Sequence, residues 1–185
     1  MNALAGTRVA KVSGTPGKTR MMNVFSVSTG SGEWGVVRDG ARRDSATHPL
    51  EPLPTPHSLY FLDLPGYGYS RASKTERTAF RRLVAHALRR ERLTGVVWLL
   101  DIRHEPSAGD NTMQDLLAAT GTRVLATVTK SDKLGRAARE RRGRELRETL
   151  GIDADQLIVT SAKTGEGIAD LREAIAALTG KVADL

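Results

Sequence analysis

The chain has 185 residues, 39% hydrophobic and 26% charged, the size and composition of one soluble globular domain. It contains no cysteine, which excludes disulfides, zinc–thiolate centres and thiol catalysis. No apolar run is long enough to span a bilayer and the start, Met1-Asn2-Ala3-Leu4-Ala5-Gly6, lacks a signal core, so a cytoplasmic protein with no membrane partner is expected; the formal net charge of +7 favours an acidic partner, RNA first among them.

Asn2 to Leu4 read as the last turn of a helix, with Gly6 at its C′ position. The segment Ser13-Gly14-Thr15-Pro16-Gly17-Lys18-Thr19-Arg20 ends like the phosphate-binding pattern G-x-x-x-x-G-K-[ST]. The first glycine of that pattern would fall at Val12, and no strand precedes it, so this is not a P-loop. It reads instead as a switch segment, in which the Thr19 hydroxyl would meet a magnesium ion beside a γ-phosphate. Arg20 to Val27 has strand propensity. Residues 28–57 are broken by Gly30, Gly32, Gly35, Gly40, Pro49, Pro52, Pro54 and Pro56, which predicts an insertion or a binding loop, with Trp34 to Val37 returning as a short hairpin strand.

Leu59 to Leu62 form a short apolar strand that runs into Asp63-Leu64-Pro65-Gly66-Tyr67-Gly68-Tyr69. An aspartate at the end of a buried strand is suited to Mg²⁺, and Gly66 can bring a bare backbone N–H to a γ-phosphate. Residues 76–93 are predicted helical, with Phe80, Leu83, Val84, Ala87 and Leu88 on one face and arginines on the other. Gly95 to Asp101 is a continuous apolar run, as in a central parallel strand, and His104 after it reads as a loop residue rather than a base or ligand. A second helix is predicted over 110–120 and a buried strand over 122–128.

That strand opens onto Thr129-Lys130-Ser131-Asp132. A carboxylate here can accept two hydrogen bonds, from the ring N–H and the exocyclic amine of guanine. Adenine offers no such pair of donors, and leaving the acceptor unpaired would cost about 1–3 kcal/mol. The Lys130 stem can lie along the base. Residues 133–150 are predicted helical and crowded with Arg136, Arg139, Arg141, Arg142, Arg144 and Arg147. Leu157 to Val159 form the last strand, ending in Thr160-Ser161-Ala162-Lys163, a turn whose N–H groups suit the guanine carbonyl. An amphipathic helix over 168–178, with Leu171, Ile175 and Leu178 inward, closes the chain.

Alternating strands and helices predict a doubly wound α/β sheet with ligand loops at the strand carboxyl ends. The order Thr19, Asp63 to Gly66, Thr129 to Asp132, Ser161 to Lys163 resembles the translation-factor branch of the GTPases. Thr15-Pro16-Gly17-Lys18-Thr19, Asp63-Leu64-Pro65-Gly66-Tyr67-Gly68-Tyr69, Leu100-Asp101-Ile102-Arg103-His104 and Thr129-Lys130-Ser131-Asp132 together resemble the EngB-type ribosome-biogenesis GTPases, over the whole chain except 28–57.

The resemblance implies a single domain of three-layer, Ras-like P-loop GTPase fold with a mostly parallel sheet. It implies GTP/GDP and Mg²⁺ as ligands. Gly17, Lys18, Thr19, Arg20 and Met21 would lie at the phosphates, with Thr19 and Asp63 on the metal. Asp63, Leu64, Pro65 and Gly66 would meet the γ-phosphate. Thr129, Lys130, Ser131 and Asp132 would hold the base, and Thr160, Ser161 and Ala162 its edge. It further implies a monomer that assists assembly of the large ribosomal subunit and supports cell division and septation. Arg139, Arg142 and Arg144 are the candidate contacts to rRNA. No catalytic base is assigned, because Tyr67 stands where many small GTPases carry a water-orienting glutamine, so slow hydrolysis is expected.

Two departures from the family follow. One is the 28–57 stretch. The other is that the first strand and the P-loop are expected to be missing, which would open two sheet edges between the strands ending at Asp63 and Asp101 and leave the chain poorly folded and without measurable hydrolysis. The alternative reading is a non-catalytic RNA- or ribosome-binding module that has lost nucleotide turnover. An ATP-using enzyme is disfavoured by the Lys130/Asp132 pair.

Overall fold

The computed structural model describes residues 1–6, 8–10, 22–30, 33–38, 58–66 and 74–180. They fall into two compact units, Met1–Ala72 and Ser73–Leu185.

In the first unit, helix α1 (Asn2–Ala5) ends at Gly6, whose φ of 66° is the left-handed conformation expected of a C′ glycine. The Asn2 side chain fastens the following chain: its amide donates to the Ala10 carbonyl at 2.9 Å, and its oxygen accepts from the N–H groups of Val9 (3.0 Å) and Ala10 (2.7 Å). Strands β1 (Asn23–Gly30), β2 (Glu33–Arg38) and β3 (Ser58–Asp63) form an antiparallel sheet in the order β2-β1-β3. Phe25 and Val27, two apart on β1, point to one face and lie opposite Phe61 and Leu59. They pack with Ala5, Met1, Val9 and Ala10 into the unit's core. β1 runs on to Gly30, into the stretch predicted as an insertion, and β2 is the hairpin return expected near Trp34–Val37.

In the second unit, β4 (Val96–Asp101), β5 (Val124–Thr129) and β6 (Leu157–Val159) form the expected parallel sheet, with β5 central. Leu125 to Val128 are buried without alternation, because both faces of β5 are covered. Helices α2 (Lys74–Leu88), α3 (Ala108–Thr120), α4 (Arg136–Leu150) and α5 (Ile168–Leu178) complete the unit. Ile102, Val128 and Leu146 form one core cluster with Leu134, Leu157 and Val159.

Two predicted helix ends are corrected. The helix expected to reach residue 93 stops at Leu88. Val84 and Ala87 bury its apolar face, but Arg89, Arg90, Glu91 and Arg92 offer nothing more to bury and form turns instead. The helix expected from Lys133 starts at Arg136, because Ser131–Lys133 form a separate 3-10 turn. No helix among the described residues is long and apolar enough to cross a membrane.

Candidate guanine-recognition site

β5 and β6 run parallel with Val128 opposite Val159, so the loops after them leave the same edge of the sheet. Thr129 anchors the first loop: its hydroxyl donates to the Leu100 carbonyl at 2.9 Å. Lys130 then turns the chain at φ 64°, the one positive φ of a non-glycine among the described residues. Left-handed backbone costs a side-chain-bearing residue, and such strain persists where the surroundings hold it. Here the surroundings are an ion cluster. The Lys130 ammonium donates to Asp101 Oδ2 at 2.8 Å, and Arg103 forks onto the same carboxylate through Nε (2.9 Å) and Nη2 (2.7 Å). The Arg103 hydrogen bonds, with Lys130 behind them, hold the Asp101 carboxyl well below its ordinary range.

Ser131 is fully buried. Its N–H donates to the Thr160 carbonyl at 3.1 Å and its hydroxyl to Glu166 Oε2 at 2.6 Å. Asp132 follows, with its side chain 10% exposed. The Ser161 hydroxyl donates to Asp132 Oδ1 at 2.8 Å, and the Lys133 ammonium lies 3.5 Å from Oδ2. The Ser161 hydrogen bond first, and Lys133 after it, lower the pKa of Asp132 against the opposing effect of burial. The group is therefore an acceptor-only carboxylate at neutral pH, with lone-pair directions left over.

The second loop is wound around Ser161, also fully buried. The Ser161 hydroxyl accepts from the N–H groups of Lys163 and Thr164 at 3.2 Å each, its carbonyl accepts from Gly165 at 2.9 Å, and its N–H donates to the Glu166 carbonyl at 2.9 Å. Thr160 is tied to β5 through the Val128 carbonyl, from its hydroxyl at 3.1 Å. Of this turn, Ala162 is exposed, and its N–H has no protein acceptor among the described residues. Gly167 closes the turn at φ 67°, and a Cβ there would drive into the Val159 carbonyl, so only glycine fits. The two loops thus present a carboxylate and, one residue after the serine that holds it, a backbone N–H with no acceptor among the described residues, the group types that guanine's N–H groups and carbonyl require.

The structure therefore brings together Thr129, Lys130, Ser131, Asp132, Thr160, Ser161 and Ala162. Asp63, Leu64, Pro65 and Gly66 lie in the first unit, at the end of β3, with Asp63 opposite Asn23 and Gly66 exposed. Gly17, Lys18, Thr19, Arg20, Met21 and Tyr67 lie outside the described residues. His104 sits exposed in the turn after β4, as read from the sequence.

Of the three arginines proposed for RNA, Arg139 donates to Glu166 at 2.6 Å, and Arg142 pairs with Glu145 at 3.0 Å and Glu105 at 3.7 Å. Arg144 and its neighbour Arg147 carry no ion pair among the described residues. A groove of about 540 Å³, beside the base loops, is lined by Arg136, Arg139, Gly143, Arg144, Arg147 and Glu166.

The sequence reading quoted Asp101 and Arg103 in a family motif but gave them no place in the site, and it passed over Glu166. Asp101 was recoverable: it ends the strand beside β5, opposite Thr129, where a carboxylate meets whatever follows that strand. Glu166 gave no local signal, since its partner Ser131 is 35 residues away.

The family described as "50S ribosome-binding GTPase" matches residues 1–130. A "Probable GTP-binding protein EngB" from Gemmatimonas aurantiaca is 38% identical over 167 residues, covering 90% of this chain and 68% of that protein. The protein of the same description from Syntrophomonas wolfei is 36% identical over 171 residues, covering 92% and 74%. Among solved structures, Era from Aquifex aeolicus bound to GDP and aluminium fluoride superposes with a TM-score of 0.66 at 19% identity, covering 96% of this chain and 50% of that one. A probable GTP-binding protein engB gives 0.58 at 18% identity, covering 66% and 77%. These structural likenesses carry the P-loop GTPase fold, and the sequence matches carry the family: the chain belongs to the EngB family of GTP-binding proteins.

Proposed function

We propose that this protein binds GTP and GDP through the loops after β5 and β6, hydrolyses GTP slowly, and assists assembly of the large ribosomal subunit in the cytoplasm as a monomer. The observation that carries the nucleotide reading is the Asp132 carboxylate, which accepts from the Ser161 hydroxyl at 2.8 Å, with the N–H of Ala162, the residue after Ser161, lacking an acceptor among the described residues. Asp132 accepts from the guanine N–H groups, Ala162 donates to the base carbonyl, and the Lys130 stem covers the ring once its ammonium leaves or shares Asp101.

Magnesium fits the residues present in a limited way. Mg²⁺ keeps several waters and takes one or two protein oxygens beside substrate phosphates. Asp63, a hard oxygen donor at a strand end, suits that role, and Thr19 is the second candidate; among the described residues no group of three or more His, Cys, Asp or Glu side chains forms a dedicated cage. When bound, the ion would neutralise phosphate charge. Asp63 would orient it, Gly66 would admit the γ-phosphate, and Gly17 to Met21 would complete the phosphate side.

The ribosomal reading is supported by the name of the matching family and by the arginine-rich α4. A second reading, an RNA-binding module without turnover, is favoured by the same helix. The pair is separated by measuring GTP hydrolysis and ribosomal-particle binding on one sample. Because Arg139 and Arg142 already serve internal ion pairs, the informative change is Arg144→Glu with Arg147→Glu. Particle binding should weaken with salt, with a log–log slope of roughly −0.7 to −0.9 per phosphate contacted, and the double change should flatten that slope. Unaltered binding and slope would remove α4 from the interface. Depleting the protein should make large-subunit precursors accumulate and cells fail to septate; normal particles in depleted cells would overturn the assembly role.

A further inference from the structure

Glu166 stands outside every role assigned so far, yet it touches both halves of the base site. Its Oε2 accepts from the hydroxyl of the fully buried Ser131 at 2.6 Å, and its own backbone carbonyl accepts from the N–H of Ser161 at 2.9 Å. Ser131 directly precedes Asp132, and Ser161 is the residue whose hydroxyl holds Asp132. Glu166 is in turn held by Arg139, which donates to Oε2 at 2.6 Å from α4. The left-handed Lys130 immediately upstream has no glycine to relax it, so the turn over Ser131–Lys133 keeps its shape through these side-chain bonds.

We propose that Glu166 is a positioning residue for guanine recognition: charged and anchored by Arg139, it fixes Ser131, and through Ser131 the direction of the Asp132 carboxylate. The inference rests on the reading that Asp132 binds guanine. A carboxylate misdirected by a fraction of an ångström loses one of two donors from the base, whereas contacts to phosphate are untouched. The loss of Glu166 therefore falls on base discrimination.

The test is a double-mutant cycle on the full chain, titrated with fluorescent GDP and ADP. Glu166→Ala should weaken GDP binding about 10-fold, leave ADP binding within about 2-fold, and so shrink the GDP-over-ADP ratio. Glu166→Gln, which keeps an acceptor for Ser131, should restore most of that ratio. Ser131→Ala should reproduce the loss, and the Ser131→Ala/Glu166→Ala pair should be no worse than either alone, because both remove one bond. Hydrogen exchange at the Ser131 and Ser161 amides should quicken in Glu166→Ala and return towards the native rate in Glu166→Gln, which reads the same positioning if the alanine variant is too unstable to titrate. An unchanged GDP-over-ADP ratio in Glu166→Ala, or fully additive effects in the pair, overturns the proposal while the guanine reading stands. A native chain with no preference for GDP over ADP overturns both.

Discussion

The loop after β5 and the carboxyl end of β3 each carry an aspartate at a strand end, but they are built differently. Asp132 is gripped: Ser161 donates to it, Lys133 lies 3.5 Å away, and the turns on either side are tied by Ser131, Glu166 and Thr160. Asp63 has no side-chain hydrogen bond among the described residues, and the chain after it runs without regular structure to an exposed Gly66. The first is a site whose shape exists before any ligand arrives. The second shows no comparable set of side-chain bonds at its aspartate among the described residues. Base selection needs the former, since discrimination between bases turns on the placement of single acceptors. A phosphate–magnesium cluster brings its own charge and can organise the groups it meets.

The contrast can be broken most severely at Gly167. Gly167→Ala would place a Cβ against the Val159 carbonyl at a left-handed φ of 67°. It should cost about 3 kcal/mol or more, combining left-handed strain with overpacking against backbone. A urea melt of the chain reads this directly, and a stability loss of less than about 1 kcal/mol would show that the turn is softer than described.

A paired substitution sharpens the comparison. Ser161→Ala strips Asp132 of its donor and leaves the Lys163 and Thr164 N–H groups without their acceptor, so it should lower stability by about 1–3 kcal/mol and weaken guanine binding. Asp63→Ala removes a half-buried carboxylate with no side-chain hydrogen bond among the described residues, so it should cost less than Ser161→Ala, under about 1 kcal/mol, while magnesium-dependent nucleotide binding falls. Equal destabilisation by the two, in parallel melts, would erase the distinction.

The smallest effect is acid dependence. Asp101 and Asp132 both have folded pKa values lowered from 3.8, Asp101 chiefly by Arg103 and Asp132 chiefly by Ser161. A lowered folded pKa means that the unfolded chain takes up protons first. The stabilisation is fully present above the ordinary carboxylate range and is lost as pH falls below it towards the folded values. Stability should therefore be flat with respect to these groups from pH 8 to about pH 5, and decline below about pH 4. Asp101→Asn should remove part of that decline, about 1–2 kcal/mol at neutral pH, the order of a charge-assisted hydrogen bond pair. An undiminished acid slope in Asp101→Asn would mean that the cluster contributes nothing.

Most of the scaffold was legible from periodicity. The continuous apolar run at Val96–Leu100 and the buried run at Leu125–Val128 are parallel strands, and the Leu171/Ile175 spacing is a buried helical face. The meeting of the two candidate base loops was legible because their residue types are chemically specific and stand at strand ends: Asp132 and Ser161, 29 positions apart, meet at 2.8 Å. What stayed hidden was whatever depends on unusual backbone or on distant pairing. The left-handed Lys130 delays α4 to Arg136, and nothing in Thr129-Lys130-Ser131-Asp132 announces it. Charge clustering on α4 looked like a free cationic face, but sequence cannot show that Arg139 and Arg142 spend their charge on Glu166, Glu145 and Glu105.

The measurement that bears most directly on the central claim is the nucleotide preference of Asp132→Asn. An amide at this position keeps one acceptor and adds a donor, which suits the extra carbonyl of xanthine in place of the guanine amine. Titrations with GDP and XDP should show the native chain preferring GDP and Asp132→Asn preferring XDP, with the sum of the two changes at least about 100-fold, or roughly 2.7 kcal/mol. Unchanged affinities for both nucleotides would contradict the assignment of Asp132 to the base.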